Sequence, residues 1–187
     1  MDTNQGVKLK KIYIAGFDVF KPNSTEIANT YKQMCKDYGF IGVYPLDNSV
    51  NFNQEKKKIA NDIFLANKKL IEESDIVIAN LNPFRGFEAD SGTVWECGYA
   101  FGLGKEVYGY MDTDIDYIKR FKHYEKSKID GVIVDTNKMA IEDFNHPLNL
   151  MIACSVKEIV VGGFKDVLTA IETGGQKTAP TINPIAK

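Results

Sequence analysis

Histidine, cysteine and tryptophan are scarce in this chain of 187 residues, which holds two, three and one of them. Each shortage excludes some chemistry. His123 and His146 lie far in sequence from the acid-bearing loops near Asp47 and Asp90, so a histidine-based triad is not expected. Cys35, Cys97 and Cys154 show no C-x-x-C spacing and no histidine at metal-ligand spacing, so no metal site is expected. Disulfide pairing would leave one cysteine over, which makes a reducing cytoplasm the simpler location. No run approaches the roughly 20 apolar residues of a membrane span. The N-terminus, MDTNQGVKLKK, has no hydrophobic stretch after its lysines, so no signal peptide is expected. A net charge of −2 gives no basic excess for an extended nucleic-acid footprint. Neither G-x-x-x-x-G-K-[ST] nor G-x-S-x-G occurs, which removes the Walker phosphate loop and the hydrolase nucleophile elbow.

What is present fits an ordinary globular domain, with 26% charged and 44% apolar residues. Short β-rich runs alternate with segments of helical periodicity. Lys10 to Ala15, Phe40 to Tyr44, Asp75 to Leu81, Glu106 to Tyr110 and Glu158 to Val161 read as strands, with a further short apolar run at Gly131 to Val134. Asp75 to Leu81 is continuously apolar, as a central strand covered on both faces must be. Between them, Ser24 is read as the N-cap of a helix stopped by Gly39. Ile59, Ile63, Ala66 and Leu70 mark a helical face within Asn53 to Glu73, and a helix follows Asp90 as far as Gly102 or Gly104. Pro147 to Ala153 opens a short helix and Phe164 to Ile171 forms the last one. The form of Asp112 to Lys128, charged and aromatic, is left open as a lid or subunit contact. This order predicts a single-domain, flavodoxin-like or Rossmann-like doubly wound sheet of about five mainly parallel strands with helices on both faces. The domain is assigned to residues 1–173. The tail, 174–187, lacks periodicity and is expected to be mobile.

An open α/β sheet gathers its ligands outside the carboxyl ends of its strands. The polar groups at those positions are Tyr13, the Gly16-Phe17-Asp18 turn, Asp47, Asp90 and Glu96. Asn82 to Leu103 holds Asp90 and Glu96, together with Glu88, and passes from a buried strand through a Pro- and Gly-containing loop into a helix start that favours negative charge. Without histidine, the remaining chemistry is that of carboxylates in two environments, one a nucleophile and one a proton carrier, as in retaining cleavage of a glycosidic bond. Spacing alone leaves plainer roles open. Thr93-x-x-Glu96 matches a capping box, Asp47 and Asp90 sit where turn residues belong, Tyr13 could be core, and Asn67 could be a surface residue of its helix.

Six motifs occur in one order from Lys11 to Val161. They are Ile12-Tyr13-Ile14-Ala15-Gly16-Phe17, Pro45-Leu46-Asp47-Asn48, Ile63-Phe64-x-x-Asn67, Ala79-Asn80-Leu81-Asn82-Pro83-Phe84-Arg85-Gly86, Asp90-Ser91-Gly92-Thr93-x-x-Glu96-x-Gly98-Tyr99-Ala100, and Asn149-Leu150-Met151. Together they resemble the nucleoside 2-deoxyribosyltransferase family.

The resemblance implies an enzyme in which Glu96 attacks the anomeric carbon of a 2′-deoxynucleoside and expels the base. A second base then captures the deoxyribosyl ester, in a ping-pong exchange with net retention that serves nucleoside salvage. It further implies that Tyr13 orients Glu96 and that Asp90 moves the proton to or from the base. Gly16, Phe17, Asp47 and the loop Pro83, Phe84, Arg85, Gly86 would line the base pocket. Asn67 stands where some members carry aspartate, and would hydrogen-bond the ligand. Asn149 and Met151 resemble residues that a neighbouring subunit adds around the sugar 5′-hydroxyl, which implies a homo-oligomer built on dimers. No cofactor and no metal are implied, and the partners are small molecules: 2′-deoxynucleosides and free nucleobases, not nucleic acid or membrane. The rivals are a 2′-deoxynucleoside or nucleoside 5′-monophosphate N-glycosidase, in which water replaces the acceptor base, and a nucleotide-binding module without turnover.

Overall fold

The computed structural model describes residues 8–120 and 126–174, so His123 and the tail from residue 175 onward lie outside the described residues. Strand β1 (Lys11–Ala15) runs into a single 3₁₀ turn at Phe17–Phe20 and then helix α1 (Ser24–Asp37). Strand β2 (Ile41–Val43), a second 3₁₀ turn at Pro45–Asp47, helix α2 (Lys56–Glu73) and strand β3 (Ile76–Asn80) follow. Next come α3 (Ser91–Gly102), β4 (Glu106–Met111), the short α4 (Tyr117–Arg120), a hairpin of β5 (Ser127–Ile129) and β6 (Val132–Val134), α5 (Leu150–Ala153), β7 (Glu158–Val161) and α6 (Phe164–Glu172).

Five of the strands pair in parallel in the order β2-β1-β3-β4-β7. The order reverses direction at β1, so the crevice between the loops after β1 and β3 is the switch point where such sheets hold ligands. The expected strand runs and helices are all present, with boundaries shifted by a few residues. One detail differs: Asn23, not Ser24, occupies the cap of α1, and its side chain makes no capping bond. Ser24 N already bonds to Lys21 O at 3.0 Å, so the preceding turn draws Ser24 into the first helical position.

The pleat decides which residues can reach the site. On β1, β3 and β4, Ile12, Ile14, Ile76, Ile78, Tyr108 and Tyr110 face one core with α1 and α6. Tyr13, Ala15, Val77, Ala79, Val107 and Met111 face the other, against α2, α3 and α5. Each fully buried Ile or Val in these layers contributes roughly 1.5–3 kcal/mol of hydrophobic stabilisation. A one-residue slip of β1 would move Tyr13 to the wrong face, so both cores hold it in register.

Residues 112–149 form an excursion between β4 and β7. Its hairpin turns on Asp130 and Gly131, both at positive φ, the pair of signs a two-residue type I′ loop requires. Ile118 and Ile141 pack with Phe87, Tyr117 and Ile133, and Tyr117 Oη donates to Glu88. The excursion therefore braces the loop that follows β3. No helix among the described residues is long and apolar enough to cross a membrane.

Gly16 closes the switch point. At φ 156°, a Cβ placed on it would lie 2.8 Å from Asn80 Cβ, inside any real carbon–carbon contact. Gly16→Ala should therefore push the β1 and β3 loops apart, costing about 2 kcal/mol and lowering Tm by roughly 4–8 °C in a thermal melt. A variant that melts with the wild type would mean the two loops are not in this contact.

Candidate active site

Glu96 is reached from two directions. Helix α3 starts at its cap, Asp90, whose Oδ2 accepts Thr93 N and Thr93 Oγ1, both at 2.9 Å. Thr93 is thus the N3 residue and Glu96 lies a turn further in, beyond reach of the cap backbone. The capping-box reading of Glu96 is overturned: Asp90 does that work, and Thr93 answers it. Glu96 instead accepts a 2.5 Å hydrogen bond on Oε1 from the hydroxyl of Tyr13, which is fully buried in β1.

The electrostatics follow from that placement. Burial raises the Glu96 carboxyl most, the Tyr13 bond opposes the rise, and the neighbouring charge of Asp90 adds to it, leaving Glu96 pushed up to about 7. Tyr13 is raised as well, by its own burial and then by Glu96, so it remains a protonated donor. Burial pushes the Cys97 thiol up to about 12, which removes it as a nucleophile beside Glu96.

Both carboxylates line a cavity of about 470 Å³. Its floor is Gly16, Gly92, Thr93, Asp90 and Glu96, and its wall is largely apolar, from Val19, Phe20, Leu46, Val50, Phe52 and Ile63. Asn48 and Asn67 are the polar exceptions on that wall, joined by a 2.6 Å bond from Asn48 Nδ2 to Asn67 Oδ1. A shallower pocket beside it shares Asn67, Gly92 and Glu96 and is flanked by Phe64 and Trp95. A largely apolar cavity with a few converging polar groups suits a small organic ligand that carries polar atoms.

Of the residues expected from sequence, Gly16, Asn67, Asp90 and Glu96 line this cavity and Tyr13 stands directly behind Glu96. Asp47 does not line it. Its carboxylate accepts Tyr44 N at 2.9 Å and pairs with Lys32, so it holds the 3₁₀ turn that presents Leu46 and Asn48. Phe17 and Phe84 stack at 5.1 Å, Phe84 stacks on the cavity-lining Phe20 at 5.4 Å, and the Arg85 guanidinium lies 4.6 Å from the Phe84 ring centre. The Pro83 to Gly86 loop thus reaches the cavity through Phe20. Asn149 caps α5 by accepting Met151 N at 3.0 Å and donates to Glu142 at 2.7 Å, while Met151 is 73% exposed. Neither lines the cavity of its own chain.

Val50 and Phe52 were not singled out from sequence, although large apolar side chains in an otherwise polar, aperiodic loop are a usable signal. Asp18 and Asn80 were also under-read. Asn80 Nδ2 donates to Asp18 Oδ2 at 2.9 Å, Lys21 pairs with Asp18 at 2.6 Å, and Asn80 Oδ1 accepts from Asn82. This buried relay ties together the loops after β1 and β3. Among the described residues no group of three or more His, Cys, Asp or Glu is placed to hold a metal ion.

Fold and site define an α/β domain with a half-buried, tyrosine-held glutamate at the switch point of a parallel sheet. The model of the nucleoside 2-deoxyribosyltransferase family matches residues 12–151, and the chain belongs to that family. It is 32% identical over 122 residues to an uncharacterized protein of Schizosaccharomyces pombe, across 64% of this chain. The chain spans 58% of that relative's length. A 2-desoxiribosyltransferase from Leishmania mexicana has the same fold, with a TM-score of 0.67 and 27% identity over 90% of this chain and 99% of its own. A 2-deoxyribosyltransferase from Bacillus psychrosaccharolyticus shares the fold at TM-score 0.54 and 22% identity, over 84% of this chain and 90% of its own. Family and fold support deoxyribosyl transfer.

Tyr13→Phe removes the hydrogen bond that favours ionised Glu96. The Glu96 pKa then rises above about 7. If activity needs the carboxylate, the acidic limb of the kcat/KM profile moves to higher pH, by about one unit for a lost bond to a charged group. A limb that stays in place would mean Glu96 is not the titrating group.

Proposed function

We propose that this protein exchanges nucleobases on 2′-deoxyribose through a covalent ester on Glu96. The observation that carries the reading is the Tyr13–Glu96 pair at the floor of an apolar cavity, with a second carboxylate, Asp90, beside it.

In the first half-reaction, an oxygen of ionised Glu96 bonds to C1′ as the C1′–N bond breaks and its electron pair leaves with the base. The departing nitrogen heterocycle takes up a proton that Asp90 relays from water. One Asp90 oxygen, Oδ2, is occupied by the helix cap, so Oδ1 is the oxygen not used by the cap. In the second half, the nitrogen of another base attacks C1′, the ester C–O bond breaks, and Asp90 relays the proton lost by that base back to water. Two inversions give net retention. The sugar lacks a 2′-hydroxyl, so its oxocarbenium-like state forms readily, and Glu96 lies where it can stabilise and then trap that charge. Tyr13 acts through Glu96: it orients the carboxylate and offsets part of the cost of burying it. The apolar wall holds the base flat and limits access of water, which favours capture of the ester by a second base over hydrolysis.

The direct test is incubation with 2′-deoxyinosine and adenine, followed by chromatography. Formation of 2′-deoxyadenosine is the expected result. Release of hypoxanthine and free deoxyribose without 2′-deoxyadenosine would make the protein an N-glycosidase instead. Glu96→Ala should lower exchange on the order of 10³-fold or more, since it removes the covalent route itself. A fully active variant would overturn the assignment of Glu96.

The site is further proposed to be completed by a second copy. The cavity's side pocket is walled by exposed Phe64 and Trp95, and Asn149 and Met151 lie away from their own chain's cavity. Chains carrying Glu96→Ala or Asn149→Ala are each expected to be impaired. Mixed and allowed to exchange subunits, they should regain on the order of a quarter of wild-type activity, because half the dimers then hold one intact site. No recovery on mixing would mean each chain works with its own residues.

A further inference from the structure

Asn149 ends the 112–149 excursion, and its amide is held on both sides. Oδ1 accepts Met151 N at 3.0 Å, and Nδ2 donates to Glu142 Oε1 at 2.7 Å. A backbone N–H only donates, so the Asn149 atom facing Met151 must be the oxygen and the group facing Glu142 the NH₂. The second Glu142 oxygen, Oε2, accepts Leu150 N at 2.8 Å. Two donors thus converge on one side chain, and a carboxylate gives each an oxygen of its own. The residue before it, Ile141, is buried with Ile118, and Ile141 N donates to Ile133 O at 2.9 Å. These contacts fix where Glu142 starts from. Asn149 keeps one lone pair on Oδ1 and one N–H.

We propose that Glu142 is a positioning residue for the sugar: it holds the Asn149 amide with Oδ1 set to accept the 5′-hydroxyl of a nucleoside in the neighbouring subunit's site. The assignment rests on the nucleoside-exchange reading and on its site shared between copies. Neither Glu142 nor Asn149 lines the cavity of its own chain, so the pair is free to serve a second copy. A loose amide has two orientations, one turning its oxygen toward the hydroxyl and the other its NH₂. Glu142 and Met151 N together remove the second. Turned over, the amide would set Nδ2 against Met151 N and Oδ1 against the Glu142 carboxylate, two mismatched pairs. Donation to a carboxylate also draws electron density toward Oδ1, which makes it a better acceptor. Glu142 itself touches no substrate and acts through Asn149.

The test compares 2′-deoxyinosine with 2′,5′-dideoxyinosine, which lacks only the 5′-hydroxyl, following hypoxanthine release with adenine present. For the wild type, loss of the hydroxyl should lower kcat/KM about tenfold. Glu142→Gln keeps the size of the side chain but turns an NH₂ toward one of the two donors. It should lower kcat/KM for 2′-deoxyinosine by a similar factor and leave the dideoxy substrate unchanged, so the gap closes. Asn149→Ala should close it too. Mixing then shows where Glu142 acts. With Glu96→Ala chains, Glu142→Gln chains should recover about a quarter of wild-type activity, because each mixed dimer holds one intact site. With Asn149→Ala chains they should recover nothing, since both sites of a mixed dimer lack a held amide. Equal loss on both substrates would mark a structural residue and overturn the assignment. Failure to recover with Glu96→Ala chains, or recovery with Asn149→Ala chains, would overturn it as well. If Glu142→Gln leaves the gap open while Asn149→Ala closes it, the assignment falls and the shared site stands. Hypoxanthine release without 2′-deoxyadenosine would end the transferase reading and leave Glu142 in its role, because either acceptor needs a held sugar. No release from any chain would end both.

Discussion

One hydrogen bond spans the two layers on which the site is built, from the Tyr13 hydroxyl in the central sheet to Glu96 on the helix above it. Its length leaves little tolerance. Tyr13 reaches Glu96 only because the pleat of β1 turns it toward α3, and it stays there because Ile12 and Ile14 are held by the opposite core. Glu96 is in position only because Asp90 starts α3 at a defined residue. A displaced helix start rotates Glu96 by about 100° per residue, which would carry it off the cavity floor. Register of the sheet and phase of the helix are therefore the constraints behind the chemistry.

The loops are locked by a second set of contacts. Gly16 lets the β1 turn come against Asn80, and Asn80 then bonds across to Asp18 and along its own loop to Asn82. Asn82 in turn accepts Asp112 N after β4 at 2.8 Å. Three successive strand ends are thereby joined through polar side chains where the backbone ladder stops. Glu88, Tyr117 and the small cluster around Ile118 and Ile141 tie the 112–149 excursion to the same loop. The long segment between β4 and β7 therefore packs against the loop after β3 from outside.

Much of this was legible in sequence where a single period or a local turn dictates structure. The continuous apolar run of β3, the alternation with helices and the resemblance of the motifs led to the parallel sheet and to Glu96, Asp90 and Tyr13. The role of Asp90 as a cap and the release of Glu96 from capping were not legible. D-x-x-T and T-x-x-E overlap by spacing, and only the helix start decides between them. Asp47 was ambiguous for a related reason, since a carboxylate after a strand can face a ligand or its own turn; here it bonds its own turn and pairs with Lys32, 15 residues earlier. Val50 and Phe52 escaped notice because loops carry no periodicity to set them against. What periodicity cannot carry is contact between distant segments.

The balance at Glu96 bears on why an exchange enzyme would be built this way. A carboxylate exposed to water, near 4.5, is a good leaving group and a weak nucleophile; one buried with no donor is the reverse. Here burial outweighs the Tyr13 bond and the group settles at about 7. In the exchange proposed here the same carboxylate must attack C1′ in one half-reaction and depart from it in the other. Each unit of added basicity lowers the first barrier and raises the second, in proportion to the bonding at the transition state. Intermediate basicity keeps both barriers moderate, and it keeps an appreciable fraction of Glu96 ionised near neutrality. In that proposed exchange, deepening the burial or removing the tyrosine would favour formation of the ester and slow its release.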